Sequence, residues 1–432
     1  MTEAALLLLG SFVVLLLIGA PIAVALGAAG ALGILAGLDT YALGKLGTNT
    51  YNAVAKYPLI ALPLFVLTGM IFERSGVAER LVRFASAIVG PRRGGLAVVA
   101  ILVCLIMGGM SGSGVADAAA VATVMLPSMA RAGYPPAFSA SLIAAAASTA
   151  ILIPPSIALI VYAVLVPGVD LRALFAGGLV PGLLCGAAVA LPVLLLSRRH
   201  GFGAAEAVER PPLGRSFVEA IPGLMAPVII LGGLRSGLFT PTEAAAVAVA
   251  YGFLVGLAIH RTMGLADVYR VLAEAAEISA VILFIIALGG IFAWAGSTLG
   301  AFDLAAGAVL AVSDQSYVVL ALIMVLLLLV GMVLDGVSIY LITLPLLVPI
   351  AHAFGWNLTW FGVLMAMNIA IGQFTPPVAV NLIVTTRIAG VPIEATVRWI
   401  VWLVLAMAAA LAAVVVFPGL VTWLPTALGY RV

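Results

Sequence analysis

Apolar residues run along this chain in long blocks, and short polar segments separate the blocks. About a dozen blocks follow one another, and a block of about 20 residues can cross the roughly 30 Å hydrocarbon core of a bilayer as a helix. Within lipid, backbone polar groups must be hydrogen-bonded inside the protein, which a helix achieves within one segment. The pattern therefore predicts an all-α integral membrane protein.

The chain also repeats itself. When it is shifted against itself by 222 positions, glycines and prolines coincide without gaps. The coinciding positions are Gly109 and Gly331, Gly114 and Gly336, Pro127 and Pro349, Pro154-Pro155 and Pro376-Pro377, and Gly168 and Gly390. Because glycine and proline set turns and breaks, the coincidence predicts two copies of one structural unit. Chance similarity between two Ala/Leu/Gly-rich halves is the alternative.

These copies define the expected domains. The first copy spans residues 1–196, the second spans 217–432, and a polar cytoplasmic loop at 197–216 joins them. Four glycines within 108–114 predict a turn that a lipid-exposed helix would not form, and the double prolines predict a break in each copy. The expected hairpins occupy 95–130 and 316–352, and the expected broken helices occupy 136–166 and 358–388.

The arginines predict the orientation of the two copies. Loops rich in arginine prefer the cytoplasm, so the segments from Arg74 to Arg93 and from Arg198 to Arg215 should share that side. They do so only if the first hairpin is re-entrant, entering and leaving the membrane by one face. Three crossings then precede the second hairpin, which enters from the opposite face. The repeats are therefore expected to be inverted, with the N-terminus outside.

Chemistry is expected at the hairpin tips and the proline breaks, because inverted-repeat transporters bind substrate and ions at discontinuous helices near the bilayer midplane. The tips are Ser111-Gly112-Ser113-Gly114 and Leu334-Asp335-Gly336-Val337-Ser338. Carbonyls freed at a break, together with Ser and Thr hydroxyls, suit a hard cation, for which we expect sodium. Helix N-termini at the tips suit a carboxylate. A tolerated kink is the alternative for any single proline break.

A few polar side chains inside apolar blocks are further candidates. A charge within the membrane is costly and so favours a functional role for Asp335 at the second tip. For Asp117, capping or pairing inside the hairpin is as good an explanation as ion handling. The amides of Asn368, Gln373 and Asn381 flank the second break and could contact substrate, and hydrogen bonding between helices is the competing explanation.

Composition excludes other classes of protein. Of 432 residues, 65% are hydrophobic and 8% charged, whereas about a quarter of a soluble domain is charged. A net charge of +2 does not indicate a nucleic-acid partner. No enzyme motif and no ATP-binding loop is present, and the histidines stand alone. These histidines are His200, His260 and His352. We therefore expect no catalytic residue and no cofactor, and energy must come from an ion gradient or a partner.

Four motifs resemble the large membrane subunit of tripartite ATP-independent periplasmic (TRAP) transporters, the DctM-like family. They lie in order over positions 60 to 395, nearly the whole chain. The motifs are Gly109-Met110-Ser111-Gly112-Ser113-Gly114-Val115-Ala116-Asp117, Ile151-Leu152-Ile153-Pro154-Pro155-Ser156, Phe239-Thr240-Pro241-Thr242-Glu243 and Phe374-Thr375-Pro376-Pro377 with Asn381 following. In the third motif, Glu243 sits where an acidic residue would stabilise a helix start.

The resemblance implies an elevator-type transporter in a bacterial inner membrane, in which sodium drives uptake of organic acids such as C4-dicarboxylates or sialic acid. It implies two partners, a periplasmic substrate-binding protein and a small four-helix membrane subunit on a separate chain. The sodium-binding residues implied are Ser111, Gly112, Ser113 and Pro154, and Asp335, Gly336, Thr375 and Pro376. For substrate, the expected residues are Ser113, Gly114, Ser156, Asn368, Gln373 and Asn381.

Two rival hypotheses remain open. One is a sodium- or proton-coupled carboxylate transporter of similar architecture that needs no binding protein. The other is a channel or a non-transporting membrane scaffold, in which the proline breaks would be mere kinks.

Overall fold

The structure, a computed structural model, describes residues 2–38, 40–203 and 211–432. Part of the expected loop at 197–216, residues 204–210, lies outside the described residues. Within the described residues, every regular secondary-structure element is a helix. In the first half the α-helices are α1 (Thr2–Leu17), α2 (Ile22–Gly37), α3 (Lys45–Val54), α4 (Ala61–Arg74), α5 (Val77–Val89), α6 (Gly95–Ser111), α7 (Gly114–Arg131), α8 (Pro136–Ser148), α9 (Ile157–Leu165) and α10 (Leu171–His200).

The second half continues in the same way. Its α-helices are α11 (Leu213–Arg235), α12 (Pro241–Phe253), α13 (Leu265–Thr298), α14 (Ala301–Leu310), α15 (Ser316–Gly331), α16 (Gly336–Ala353), α17 (Leu358–Gly372), α18 (Val380–Ala389), α19 (Val397–Val416) and α20 (Gly419–Ala427). A π-helical turn, Leu254–Ile259, extends α12. The predicted all-α fold with two helical hairpins, α6–α7 and α15–α16, and two broken helices, α8–α9 and α17–α18, is confirmed.

Seven helical segments within the described residues are long and apolar enough to cross a membrane, judged by length and composition. Most hairpin limbs and halves of broken helices are shorter apolar helices, among them α6, α8, α15, α17 and α18. Chain breaks shorten them, because a helix that ends at a tip or a proline pair cannot cover the full hydrocarbon thickness. The apolar blocks of the sequence therefore form two kinds of helix, which are long helices able to cross the membrane and shorter ones that end at a tip or a proline pair.

The double prolines end helices where the single prolines do not. Single prolines lie inside helices at several places, such as Pro127 in α7 and Pro181 in α10. At Pro154-Pro155 and Pro376-Pro377 the helix stops, and both intervening peptide bonds are cis. Two successive prolines remove two amide donors and clash with the preceding turn, so the chain leaves the helical path at the positions expected from the sequence.

The first halves of the two broken helices form the centre of the core. Every residue from Ala137 to Ser156 is buried, and so is every residue from Thr359 to Gly372. Glycine permits close contact there: a Cβ on Gly372 would overlap the backbone of Gly331 at the end of α15. The second break is thereby held directly against the second hairpin.

Two segments expected as loops are partly helical. Between the arginines at 74 and 93 the chain forms α5, whose Val77 and Leu81 are buried while Glu79 and Arg83 pair on the outer face at 2.6 Å. This amphipathic pattern has the helical period, but the arginines of the segment favoured its interpretation as a loop. Similarly, α10 continues to His200 and α11 begins at Leu213.

The expected helix start at Thr240 is confirmed. The Thr240 amide donates to the Glu243 carboxylate at 2.7 Å, and the Glu243 amide donates to Thr240 Oγ1 at 3.3 Å. This reciprocal capping box satisfies two amides at the start of α12, and Glu243 therefore has a structural role.

Candidate functional site

Both hairpin tips line one cavity of about 480 Å³. On one side it is lined by one face of α4, at Val66, Gly69, Met70 and Glu73, and by α13 at Ile278 and Ile282. The predicted site residues that line its other side are Ser111, Gly112, Ser113, Gly114, Asp335, Gly336 and Gln373. The cavity volume is within the range of small-molecule sites.

The first tip closes through a left-handed glycine and a hydroxyl. Gly112 has φ +60° and ends α6, and Ser113 then begins α7 by accepting the Ala116 amide at 3.5 Å. Behind the tip, Ser111 Oγ donates to Asp117 Oδ1 at 2.7 Å. Asp117 is fully buried and its other oxygen has no partner. The pairing of Asp117 with Ser111 lies inside the first hairpin.

Both proline breaks reach the first tip. A Cβ on Gly112 would overlap the carbonyl oxygen of Pro155, which belongs to the first break. A Cβ on Gly114 would lie 2.9 Å from both Asn381 Nδ2 and Gln373 Oε1, which belong to the second. Only glycine tolerates such close approach. Residues far apart in the sequence are therefore packed around one turn.

The second tip closes through a carboxylate. Asp335 precedes α16 and accepts the amides of Val337 at 3.1 Å and Ser338 at 3.3 Å, and it also accepts the Ser338 hydroxyl. Its side chain is exposed at the cavity. The tip is joined to the second break because the Ala379 amide donates to the Met332 carbonyl at 3.1 Å. Asp335 is thus both a helix cap and the charged group of this tip.

Two amide side chains beside the cavity have unpartnered atoms. Gln373 Oε1 and both polar atoms of the fully buried Asn381 have no hydrogen-bond partner within the described protein. A buried polar group without a partner costs about 1–3 kcal/mol. Gln373 lines the cavity, so its oxygen is available to a ligand, and the Asn381 amide lies behind the cavity surface, close to Gly114.

Other predicted residues do not line the cavity. Asn368 donates through Nδ2 to the Met324 carbonyl on α15 at 2.8 Å, which is a bond between helices. Ser156 donates to the Ile151 carbonyl at 2.5 Å, and Thr375 donates to the Ile371 carbonyl at 2.6 Å. Both hydroxyls are therefore bonded to backbone carbonyls beside the breaks. The structure therefore places Asn368 away from the cavity, and it places Pro154, Ser156, Thr375, Pro376 and Asn381 behind its surface.

Glu73 is a cavity residue that the sequence reasoning missed. It completes the stripe on α4 with Val66, Gly69 and Met70, at helical spacing. The signal was present, since an acidic residue inside an apolar block is a functional candidate by default. Its place next to Arg74 concealed it, because Arg74 was assigned to the cytoplasmic loop.

The cavity is suited to cations and has room for an organic ligand. Glu73 and Asp335 line it, and none of the described lining residues is basic. Carboxylate, hydroxyl and carbonyl oxygens are the ligands of hard cations. At the first tip, the amides of Gly114 and Val115 belong to the first turn of α7, which has no intrahelical acceptor for them. Opposite charges can therefore be held side by side at this tip.

Comparisons with known proteins find similar sequences. The sequence model of one family, described as "Tripartite ATP-independent periplasmic transporter, DctM component", matches residues 9–420. The chain is 37% identical over 401 residues to the C4-dicarboxylate TRAP transporter large permease protein DctM of Pseudomonas aeruginosa, covering 93% of this chain and 92% of that one. It is 35% identical over 380 residues to the sialic acid TRAP transporter large permease protein SiaM of Vibrio cholerae, covering 88% and 89%.

A solved structure shares the fold. The YdaH transporter of Alcanivorax borkumensis superposes with a TM-score of 0.64 over 96% of this chain and 98% of that one, at 17% sequence identity. At that identity the likeness concerns the fold alone.

Proposed function

Because the chain belongs to the DctM family of tripartite ATP-independent periplasmic transporters, as their large permease, we propose that it imports an organic acid by coupling uptake to sodium. The observation that carries this proposal is the single cavity that joins both hairpin tips. It combines two carboxylates with hydroxyl and carbonyl oxygens, and it has no basic lining residue among those described. We therefore expect an organic anion to enter this site together with cations.

Sodium would bind at each tip with its neighbouring break. At the first tip the ligands proposed are oxygens of Ser111, Gly112 and Ser113, with the break at Pro154 adjoining; the approach of the Pro155 carbonyl to Gly112 supports this set. At the second tip they are Asp335, Gly336, Thr375 and Pro376. The bond from Ala379 to Met332 supports the second set, because it holds this break against its tip.

The substrate would bind between the tips through its carboxylate. Ser113, Gly114, Gln373 and Asn381 are the groups proposed, and the unpartnered atoms of the two amides support them. Ser156 would act indirectly, by holding the first break. C4-dicarboxylates and sialic acid, which the names of two relatives print, define the substrate class proposed.

Movement of an elevator type would carry the bound ligands across. The moving part would be the two hairpins with the two broken helices, within repeats spanning 1–196 and 217–432, and the scaffold would include α4 and α13. Apart from Glu73, the residues that α4 and α13 turn toward the cavity are apolar, which supports this division because apolar surfaces can slide without breaking hydrogen bonds. Sodium binding would order the tips and so favour the loaded state.

Two partners and a location complete the proposal. The term tripartite in the family description supports two further components, and we propose that they are a periplasmic substrate-binding protein and a small four-helix membrane subunit on a separate chain. The expected location is the bacterial inner membrane, where a lipid bilayer surrounds the helices. Large apolar side chains are exposed along α13, for example Val281 and Phe284, as a lipid-facing or subunit-facing surface requires.

Uptake into proteoliposomes tests the proposal. This chain and the small subunit are reconstituted, the substrate-binding protein and a labelled acid are added outside, and only the sodium gradient is varied. We expect uptake only when sodium and the binding protein are both present. Uptake without the binding protein would instead favour the self-sufficient carboxylate transporter. Uptake that ignores sodium in every arrangement would reject the coupling.

A further inference from the structure

A second cavity lies on the other side of the second hairpin. This outer cavity has a volume of about 270 Å³ and lies between α3, α13 and α16, beside the end of α9. Its polar lining residues are Asn49, Asn52, Lys56 and Tyr340, and none of its described lining residues is acidic. Its charge is therefore opposite to that of the cavity between the tips.

Two adjacent glycines create the outer cavity. A Cβ on Gly290 would overlap Ala53, and a Cβ on Gly289 would lie 3.1 Å from Leu341 Cδ2. Because neither glycine has a side chain, α3 and α16 can both approach α13 closely. The polar side of α3 is thereby brought against membrane-spanning helices.

The polar groups of the outer cavity include unpaired hydrogen-bond donors. Tyr340 is fully buried and its hydroxyl has no partner, and Asn49 Nδ2 is also buried and unpartnered. The Lys56 ammonium donates one bond to the Val164 carbonyl at 3.1 Å, and an ammonium has three N–H donors. A phenol, an amide and an ammonium that converge on one space match an anionic oxygen.

The two cavities are stacked along the same pair of helices. On α13, Ile282 lines the cavity between the tips and Ile286 lines the outer one, a separation of about 6 Å along the helix axis. On α16, Val337 lines the first and Tyr340 lines the second. The outer cavity lies toward the end of α13 that the arginine distribution predicts to be external.

We propose that the outer cavity is a second carboxylate-binding site, at which Lys56, Asn49 and Tyr340 hold the organic acid between the external face and the cavity between the tips. The inference rests on the proposed function for the identity of the anion. The donor chemistry of the site does not depend on sodium coupling.

Protection of an engineered cysteine tests this site. Ala293→Cys, at a half-buried position that lines the outer cavity and is not one of the proposed donors, is introduced into the purified chain, whose two native cysteines are buried. Its reaction with the neutral reagent methyl methanethiosulfonate is timed without sodium. We expect succinate or sialic acid to slow the reaction. Tyr51→Cys, on α3 outside the lining of the cavity and 69% exposed, is the control whose rate should not change.

Two further substitutions identify the donors. Lys56→Gln and Tyr340→Phe, each combined with Ala293→Cys, should raise the acid concentration that gives half protection by about tenfold, the loss expected for one hydrogen bond to a charged group. Absence of protection by both acids would overturn the proposal, and so would protection that neither substitution changes. Protection by phosphatidylglycerol but by neither acid would also overturn it, because a lipid phosphate would then be the ligand.

The result is separable from that of the uptake experiment. Protection without sodium-dependent uptake would keep the outer site and reject the coupling. Sodium-dependent uptake without protection would keep the transport function and reject the outer site.

Discussion

The two hairpin tips have equivalent positions but different chemistry. Ser113 and Asp335 are 222 positions apart, and each is the residue that caps the returning helix. The Ser113 hydroxyl accepts one amide at 3.5 Å, whereas the Asp335 carboxylate accepts two at 3.1 and 3.3 Å. Both tips therefore have a capped helix start, but the capping side chain differs between them.

The tips also differ in where they hold their charge. At the first tip the charge is one turn inside the helix, where Asp117 is fully buried against Ser111. The corresponding positions at the second tip are Ile339 and Val333, and the charge there is Asp335, exposed at the cavity. An ion would thus meet hydroxyls and carbonyls at the first tip and a carboxylate at the second. We expect the two sites to respond differently to the same kind of substitution.

The largest effect is expected at Gly112, the left-handed residue that only the first tip requires. Gly112→Ala should cost more than the roughly 1–2 kcal/mol of a left-handed non-glycine residue, because the new Cβ would also overlap the Pro155 carbonyl. Thermal unfolding in detergent and sodium-driven uptake measure the loss. Gly133→Ala is the matched control, since Gly133 has φ +83° and open space around it. Equal losses in the two variants would show that the contact between position 112 and the Pro155 carbonyl does not affect stability.

The next effect concerns the buried charge. Ser111→Ala removes the donor to Asp117 and should cost about 1–3 kcal/mol of stability. The double variant Ser111→Ala/Asp117→Ala should lose less than the sum of the single variants, because the two side chains interact directly. Val333→Ala, the corresponding change at the second tip, should alter stability by at most about 0.5 kcal/mol since that side chain is 53% exposed. Additive losses would mean that Ser111 does not stabilise Asp117.

A third substitution separates capping from ion binding at the second tip. Asp335→Ala should cost about 1 kcal/mol through the lost cap, whereas Asp335→Asn should retain the cap. If Asp335 also binds sodium, both variants should require a higher sodium concentration for half-maximal uptake. An Asn variant with unchanged sodium dependence would leave Asp335 with a structural role only.

The smallest effect is expected from the hydroxyl cap. Ser113→Ala should cost about 0.5 kcal/mol, at the low end for a helix cap, because the Ser113 bond to Ala116 is long. The comparison with Asp335→Ala in one unfolding experiment measures the difference between the tips directly. A loss at Ser113 as large as that at Asp335 would contradict the contrast drawn from the two geometries.

Much of the backbone could be predicted from local sequence. The breaks at Pro154-Pro155 and Pro376-Pro377, the first tip around Gly112 and the helix start at Thr240 all lie where the residue types required them. Each depends on a missing amide, a left-handed φ or a cap, and these are properties of a few adjacent residues. The helix α5 was missed because its arginines were interpreted as loop residues before its helical period was considered.

The side-chain pairings could not be predicted in the same way. Asn368, a candidate for substrate contact or for hydrogen bonding between helices, donates to Met324, while Glu73 was not expected and lines the cavity. Asn381 and Gln373 reach Gly114, in the other half of the chain. In each case the partner of the side chain depends on which helix faces pack together. A helix that is hydrophobic on every side does not indicate in its sequence which face meets which neighbour.

The sequence by itself determined that the chain is helical, spans a membrane, repeats its breaks and belongs to a transporter family, because hydrophobic length and backbone chemistry are local properties. Only the tertiary structure decided that both tips share one cavity, that Glu73 and Asp335 supply its charge, and that a donor-lined cavity lies above it. Those features arise from close helix contacts at Gly112, Gly114 and Gly290, where the absence of a side chain brings distant segments together.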